Sequence, residues 1–397
     1  MNILFYRFNN IYEADVISSF QSFGLHVIEE RAQMEKRIAS PSDTVNIVAN
    51  HILTNRQNNT PLLFVFSINF IPAISEICEL TNTLYVCWSV DCPLVELFHK
   101  SLRNKHNRIF LFDKAQYKRF AQYNPECIFH LPLGANVARI DQTIQSITAE
   151  EESRFTSDIS FVGSLFSEIN PFRHIADLDD YTKGYIDGLI EAQMKVYGYN
   201  FIEDTIPPSL IDKLKADSAS TSDKDFVAPI DRYITAHTYI DMELAQTERI
   251  RTLSALSEQF QVNLYTQSDA DMLSEVNVCG PANSFKETPK IYHLSKINLN
   301  ITNRSIQTGL PLRIFDVIGA GGFLITNYQE ELSDFFEIGK DLEIYSSLEE
   351  LVDKCAYYLT HDDERRAIAR SGYEKVKSMH TVQLRVAQIV STIMGTL

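Results

Sequence analysis

The sequence has few or no cysteine motifs, long apolar runs and positive charges, and each shortage excludes a class of function or structure. Its six cysteines include no Cys-x-x-Cys pair and no histidine at zinc spacing, so buried free thiols are favoured over disulfides or structural zinc. The longest apolar stretch, residues 61–75, is broken by Asn69 and Pro72 and is shorter than the roughly 20 residues that cross a bilayer. Positive charge is also scarce: the formal net charge is -16, which argues against a nucleic-acid-binding surface.

The amino-terminal segment MNILFYRFNN has no basic stretch followed by a long apolar core and a cleavage site, so we expect a cytoplasmic protein without a signal peptide. A chain of 397 residues exceeds the size at which single cores stop growing, about 250 to 300 residues, and this predicts two domains. The composition, 45% apolar and 22% charged, is that of an ordinary globular protein.

Short apolar runs alternate with amphipathic stretches along the first 150 residues. This alternation predicts an α/β domain of Rossmann type, with helices at 11–23 and 114–123. The predicted strands are 2–7, 62–67, 84–89, 108–113 and 128–131.

A polar, acidic stretch at 138–157 precedes a second alternating series, so we place the domain boundary near residue 150. The second domain, 151–380, is also predicted to be Rossmann-like, with a helical insertion at about 170–260 that either shapes an acceptor site or decorates the domain. Its predicted strands are 158–162, 262–266, 297–302, 323–327 and 342–345. Helices follow at 347–359 and 362–378, and a last helix, within 381–397, is expected to pack back toward the first domain.

The segment 288–331 carries the strongest chemical signal. It predicts helix, strand, loop, helix and strand, and the loop leads through Gly309 and Leu310 to Pro311, a residue tolerated in the first turn of a helix. A helix that begins after the carboxyl end of a parallel strand binds anions well, because its free N–H groups and its dipole point at the ligand. A diphosphate would suit this position.

Several side chains near this loop are candidate ligand contacts, each with a structural alternative. Arg313 lies in the first helical turn, where a cation is unfavourable unless an anion shares the space, and Asp316 could bind ribose hydroxyls; the alternative is a surface ion pair between them. Gly163 and Ser164 follow a strand and could let phosphates approach the backbone, or form a plain tight turn. Lys296 could neutralise a phosphate or favour the end of a helix.

Ordered motifs in both halves resemble one family. The runs SKINLNIT, GLPLRIFDVIGAGGFLITNY and HTVQLR look like the carboxyl-terminal half of the CgeB-like glycosyltransferases, named from spore-maturation proteins. The runs FSINFIP, YVCWSVDCPL and HLPLGAN resemble the amino-terminal half of the same group. The similarity touches most of the chain outside 170–260. Within HTVQLR, His380, Thr381 and Arg385 match a terminal pattern of the family that closes the cleft, although a capped helix start explains them as well.

The resemblance implies the GT-B fold, two Rossmann-like domains facing a central cleft, with a nucleotide-diphosphate sugar held by the second domain. The donor would be UDP-, dTDP- or GDP-linked, the acceptor a protein or glycan, and neither a metal nor another cofactor would be needed; an oligomer stays open. Related retaining enzymes carry two glutamates eight positions apart, whereas this chain has Thr308 and Asp316 there. The stereochemical outcome is therefore left open.

Polar residues also follow the strands of the first domain, where ligands bind in open α/β sheets. Asp91 is the candidate base for an inverting transfer, against the alternative that it caps the turn before Pro93. Asp269 and Asp271 form a D-x-D triplet, a metal-binding signature of a different glycosyltransferase fold, but such triplets are common by chance in a chain with 52 acids. A nucleotide-sugar epimerase and a non-catalytic partner protein remain alternatives to a glycosyltransferase.

Overall fold

The computed structural model describes residues 1–31, 40–168, 170–174, 178–215 and 223–395. The chain divides into two compact units. The first comprises Met1–Leu133, Thr221–Ile230 and Val382–Leu397, and the second comprises Gly134–Ser220 and Asp231–Thr381.

The first unit is built on a parallel six-stranded sheet of order β2-β1-β3-β4-β5-β6. Its strands are β1 (Asn2–Tyr6), β2 (His26–Glu30), β3 (Leu62–Ile68), β4 (Tyr85–Trp88), β5 (Asn107–Leu111) and β6 (Ile128–His130). The helices that connect them are α1 (Glu13–Ser22), α2 (Pro41–Gln57), α3 (Pro72–Leu80) and α4 (Lys114–Ala121), with 3-10 turns at Val95–Phe98 and Lys100–Arg103. The central strands are buried on both faces, which is why they appear in the sequence as continuous apolar runs.

The second unit repeats this architecture with a parallel sheet of order β12-β11-β10-β7-β8-β9. Its strands are β7 (Ser157–Val162), β8 (Val262–Tyr265), β9 (Asn277–Val278), β10 (Ser295–Asn300), β11 (Leu324–Asn327) and β12 (Glu343–Tyr345). Its helices are α5 (Val137–Gln145), α6 (Ala149–Phe155), α7 (Asp180–Gln193), α8 (Ile202–Thr205), α9 (Pro208–Lys215), α10 (Asp231–Ile234), α11 (Asp241–Ser257), α12 (Thr288–Leu294), α13 (Leu312–Gly319), α14 (Leu332–Phe335), α15 (Leu348–Thr360) and α16 (Asp362–Met379). A π-helical turn, Thr235–Ile240, joins α10 to α11.

Buried amides stabilise the centre of the second sheet in addition to its apolar core. Asn298, 1% exposed, accepts a hydrogen bond from the Ser160 hydroxyl at 3.0 Å and donates to the carbonyl of Tyr292 at 2.9 Å. Two residues further along β10, Asn300 donates to Thr326 Oγ1 on the neighbouring strand β11 at 2.9 Å. These bonds satisfy polar groups that would otherwise be costly to bury, and they fix the register of the strands that lead into the candidate site.

The ten strands predicted from the sequence are all present, and two were not predicted, β2 and β9. The structure also places the unit boundary earlier than residue 150, at Leu133 and Gly134. The reason is packing of α5 on the second unit: a Cβ added at Gly319 would lie 3.0 Å from Ala135 and 3.6 Å from Ile140.

The sequence predicted that the helical insertion lies wholly in the second unit, but part of it belongs to the first unit. Its described residues 223–230 belong to the first unit, where Val227 N donates to Phe98 O at 2.7 Å and Lys100 pairs with Asp225 at 2.6 Å. The last helix, α17 (Val382–Gly395), is also part of the first unit and packs against α1. Among the described residues, no helix combines the length and apolar character that a membrane span requires.

Candidate functional site

The turn after β7 forms one wall of the candidate site. Gly163 follows the last residue of β7 and donates its N–H to Tyr265 O at 3.0 Å. The Ser164 hydroxyl accepts a hydrogen bond from Phe166 N at 2.6 Å and donates to Glu168 Oε1 at 2.8 Å. This hydroxyl is therefore occupied in shaping the turn, so a ligand would meet the backbone of this turn in preference to the serine side chain.

Arg313, in the first turn of α13 (Leu312–Gly319), reaches the same turn. The sequence predicted a ligand contact for Gly163 and for Arg313 separately, and the structure brings them together: a Cβ added at Gly163 would lie 2.6 Å from Arg313 Nη2. Arg313 Nη1 donates to Asn300 Oδ1 at 2.9 Å, and the guanidinium carbon lies 5.2 Å from the centre of the Phe161 ring. The absence of a side chain at Gly163 provides the space for the guanidinium.

A second guanidinium, from Arg249 on α11, lies beside the first. Arg249 is 4% exposed and donates through Nη1 to Ser164 O at 2.5 Å and through Nη2 to Ile301 O at 3.0 Å. Its guanidinium carbon lies 4.2 Å from the ring centre of Phe166. Burial lowers the pKa of Arg249 to about 9, and the nearby positive charge of Arg313 lowers it in the same direction. It is still protonated at neutral pH.

The two arginines make an electrostatically unusual pair. Within the described part of the chain, neither forms an ion pair with a carboxylate, and the hydrogen bonds of both go to neutral oxygens. Nε of Arg249 is buried without a partner. Buried charges are normally paired, because removing them from water is costly. Glu248 and Glu168 lie near enough to act on Arg249 electrostatically, but no described carboxylate pairs directly with either cation, and this indicates a site that an anion completes.

The helix α13, whose amino-terminal end is the predicted anion-binding position, begins one residue later than expected. Pro311 has φ -66° and ψ 154°, so it is the extended residue before α13, whose first residue is Leu312. Among the described residues no side chain caps this end of the helix. Ile314 N already donates to Pro311 O at 3.0 Å, so the N–H groups that an anion could meet are those of Leu312 and Arg313. Leu310 is 1% exposed, so only its backbone could contribute, and Gly309 O accepts from Gln329 Nε2 at 3.4 Å.

Asp316 lies one turn after Arg313 on α13 and is half-buried. Burial raises the pKa of Tyr292. The positive charge of Arg313 lowers this pKa, and the negative charge of Asp316 raises it. The three side chains are therefore close enough to interact electrostatically. This arrangement keeps Asp316 a candidate contact for a ligand hydroxyl near Arg313.

Lys296 does not lie with the other predicted residues. It is the second residue of β10 and not the end of a helix, since α12 ends at Leu294. Its Nζ pairs with Asp158 Oδ1 at 2.8 Å, at the amino ends of β10 and β7. Gly163 follows the opposite, carboxyl end of β7, so Lys296 cannot contact the same ligand as Gly163 and Arg313. The prediction that Lys296 contacts a phosphate is corrected accordingly.

Asp91 lies in the first unit, after β4, and is held by Asn69. Asn69 has the left-handed conformation, with φ 60°, and its Nδ2 donates to Asp91 Oδ2 at 2.6 Å. Its Oδ1 accepts from Val90 N at 2.9 Å and from Asp91 N at 3.3 Å. The Asp91 carboxylate is exposed and oriented by this amide, as a carboxylate that meets a substrate should be.

The D-x-D triplet forms a local turn in which Asp271 N donates to Asp269 Oδ1 at 3.0 Å. Within the described ranges, no group of three or more His, Cys, Asp or Glu side chains could hold a metal ion. The six cysteines are free thiols, four of them buried.

Comparison with known proteins finds a partial family match and a fold shared with solved structures. Residues 248–391, less than half of the chain, match the family described as glycosyl transferase-like. This segment includes Arg249, Arg313 and Asp316. No curated protein matches the sequence.

Solved structures show the same architecture at low sequence identity. HepE of Anabaena in complex with UDP and glucose matches with 11% identity, a TM-score of 0.51 and complete coverage of both chains. A sucrose-phosphate synthase of Thermosynechococcus elongatus matches with 10% identity and a TM-score of 0.52, again over the whole of both chains. A UDP-forming trehalose-phosphate synthase of Burkholderia xenovorans has 8% identity and a TM-score of 0.54, covering 99% of this chain and 98% of its own. The chain thus has the α/β GT-B fold.

Proposed function

We propose that this glycosyltransferase-like enzyme moves a sugar from a nucleotide-diphosphate donor to a hydroxyl of a protein or glycan acceptor. The observation that carries the proposal is the pair of guanidinium groups, Arg249 and Arg313, which have no carboxylate partner beside the Gly163 turn. A diphosphate supplies the missing negative charge and enough acceptor oxygens for the N–H donors of both guanidinium groups. The presence of UDP with HepE, a protein of the same fold, supports a nucleotide donor.

The site also accounts for catalysis in physical terms. As the bond between sugar and diphosphate breaks, negative charge grows on the leaving diphosphate, and in this proposal Arg249, Arg313 and the first N–H groups of α13 stabilise that charge. Asp316 would bind the ribose hydroxyls. In this scheme two fixed cations do what a divalent metal does in other transferases, so we propose a metal-independent reaction. The CgeB-like motifs favour an acceptor at a spore or cell surface.

The experiment that tests the function is incubation of the purified protein with UDP-, GDP- and dTDP-sugars, with and without an acceptor extract. A transferase releases the nucleoside diphosphate only when the acceptor is present. Conversion of the donor to an epimer without acceptor would identify an epimerase, and no conversion of any donor would contradict both activities.

A Gly163→Ala variant is expected to lower turnover about tenfold, a change of about 1.4 kcal/mol. The added Cβ would lie 2.6 Å from Arg313 Nη2 and would displace the guanidinium. Because that group is the far end of a flexible side chain, the melting temperature should change little. The matched control is Gly184→Ala on α7, where an added Cβ meets nothing within 4 Å. Equal turnover of the Gly163→Ala and Gly184→Ala variants would contradict the claim that turnover depends on the position of the Arg313 guanidinium.

An Asp91→Asn variant tests the acceptor base of an inverting reaction. The amide keeps the shape of the carboxylate but cannot take a proton, so turnover should fall by about 100-fold or more. The exposed side chain contributes little to folding, and donor binding should stay at the wild-type level. Turnover that matches the wild type would remove Asp91 from the mechanism.

A further inference from the structure

The loop that connects β10 to α13 contacts the helical insertion through buried side chains. We call residues 303–309 the donor loop, since they lead directly to Arg313. Arg304 of this loop pairs with Glu248 of α11 at 2.6 Å, and both side chains are nearly buried, 5% and 6% exposed. The guanidinium of Arg304 also lies 4.2 Å from the centre of the Tyr197 ring and donates to Val196 O at 3.1 Å. The insertion therefore supplies most of the environment of Arg304.

A second contact centres on Asp241, which is completely buried at the start of α11. Its Oδ2 accepts hydrogen bonds from Asn200 Nδ2 at 2.8 Å and from Ser305 Oγ at 3.3 Å. Asn200 Nδ2 also donates to Arg304 O at 3.0 Å. One carboxylate oxygen of the insertion thus contacts both the donor loop and the segment before α8.

His237, in the π-helical turn, holds Asp241 in place. Its Nδ1 is 2.7 Å from Asp241 Oδ2, and its Nε2 is 2.9 Å from Glu203 Oε2. Burial lowers the pKa of His237, but the hydrogen bonds to the two carboxylates outweigh it and raise the pKa to about 9. Tyr233 packs against its ring at 4.6 Å. The charged imidazolium compensates the buried carboxylate, and π-helical turns of this kind often occur at functional positions.

We propose that the insertion positions the donor loop through the contacts of Ser305, Asn200 and Asp241, so that the diphosphate meets a preformed site. This inference rests on the function proposed above and gives the insertion a role in donor binding. The donor loop has no strand or helix of its own, so its conformation depends on such side-chain contacts. A loop ordered before binding lowers the entropic cost of holding the ligand. Ser305, Asn200, Asp241 and His237 are positioning residues in this account.

The test uses Ser305→Ala, which removes one hydroxyl from the full-length protein. Dissociation constants for UDP, GDP and dTDP are measured by calorimetry, and kcat and KM are measured with the sugar donor. We expect about tenfold weaker binding of the preferred diphosphate and a similar rise in donor KM, with kcat within about twofold of the wild type. Asn200→Ala, which releases both Asp241 and Arg304 O, should shift the same two constants in the same direction.

The control is Tyr185→Phe, which removes a hydrogen bond to Thr205 O within the insertion that involves no residue of the donor loop. It should leave the dissociation constants and KM unchanged. If Ser305→Ala and Asn200→Ala both bind the diphosphate as tightly as the wild type, the positioning role is overturned. A wild-type protein that binds none of the three diphosphates would instead overturn the proposed function, so the two failures are distinguishable.

Discussion

Replacement of Arg313 by alanine is expected to lower kcat/KM for sugar transfer about 100- to 1000-fold, the usual cost of removing one well-placed group that stabilises developing charge. Arg313 lies at the start of α13 and faces the Gly163 turn, where it would contact the leaving diphosphate. Arg313 forms no ion pair with a described carboxylate and donates to the neutral Asn300 amide, so its loss should cost little folding stability. Steady-state kinetics and thermal unfolding of the same preparation measure the two effects separately.

The control for this variant is Arg251→Ala. Arg251 lies on α11, is half-exposed, and pairs with Glu191, which is equally exposed. Exposed ion pairs of this kind contribute roughly 0 to 1 kcal/mol to stability. Removing Arg251 changes the net charge by the same amount as removing Arg313 and should leave kcat/KM unchanged. An Arg313→Ala enzyme as active as the Arg251→Ala control would contradict the assignment of Arg313.

The second large effect is expected for Arg249→Met, which replaces a buried cation by an apolar chain of similar length. Ligand at 100 times its dissociation constant stabilises a protein by about 2.7 kcal/mol, and this gain should disappear in the variant. Without ligand, the variant loses hydrogen bonds to Ser164 O and Ile301 O but no longer buries a charge beside Arg313. These effects oppose each other, so the free energy of unfolding should change by less than about 2 kcal/mol.

Denaturant unfolding with and without a nucleoside diphosphate measures both quantities for Arg249→Met. If the diphosphate stabilises the variant as much as it stabilises the wild type, Arg249 takes no part in binding. The control is Arg251→Met on the same helix, which should keep the full stabilisation by ligand.

The long, buried strands and the helix α13 could be predicted from the sequence, because both leave local signals. Continuous apolar runs predicted the ten strands, and the order of loop, proline and helix predicted α13; that an anion binds at its start stays a prediction. The two strands that were not predicted lack such a signal: β2 is a partly exposed edge strand ending in two glutamates, and β9 has two exposed residues. Their pairing depends on neighbours that the local sequence does not specify.

Arg249 was not singled out from the sequence because its position beside Arg313 depends on the tertiary structure. It lies within the insertion, more than 60 positions before Arg313, and the two meet only because α11 packs across the ends of β7 and β10. The sequence nevertheless contains a local signal. Arg249 lies on the same buried face of α11 as Ala245 and Leu256, where an apolar residue is expected, so a charged residue there indicates an unusual environment. The signal indicates an unusual residue, but not its ligand.

The error at Lys296 has a different origin. The sequence places it close to the donor loop, but a β-strand separates the two. Lys296 begins β10 and the donor loop follows its end, so they lie at opposite edges of the sheet. The boundary of a strand was therefore needed to decide which residues share the site.

The central claim is that Arg249, Arg313 and the Gly163 turn bind the diphosphate of a nucleotide. Its most direct test is the melting temperature of the protein with UDP, GDP and dTDP, each compared with uridine, guanosine and thymidine. At least one diphosphate should raise the melting temperature while its nucleoside does not, and a protein carrying both Arg249→Met and Arg313→Ala should show no rise. Stabilisation of that double variant to the same extent as the wild type, or no response of the wild type to any of the three diphosphates, would contradict the claim.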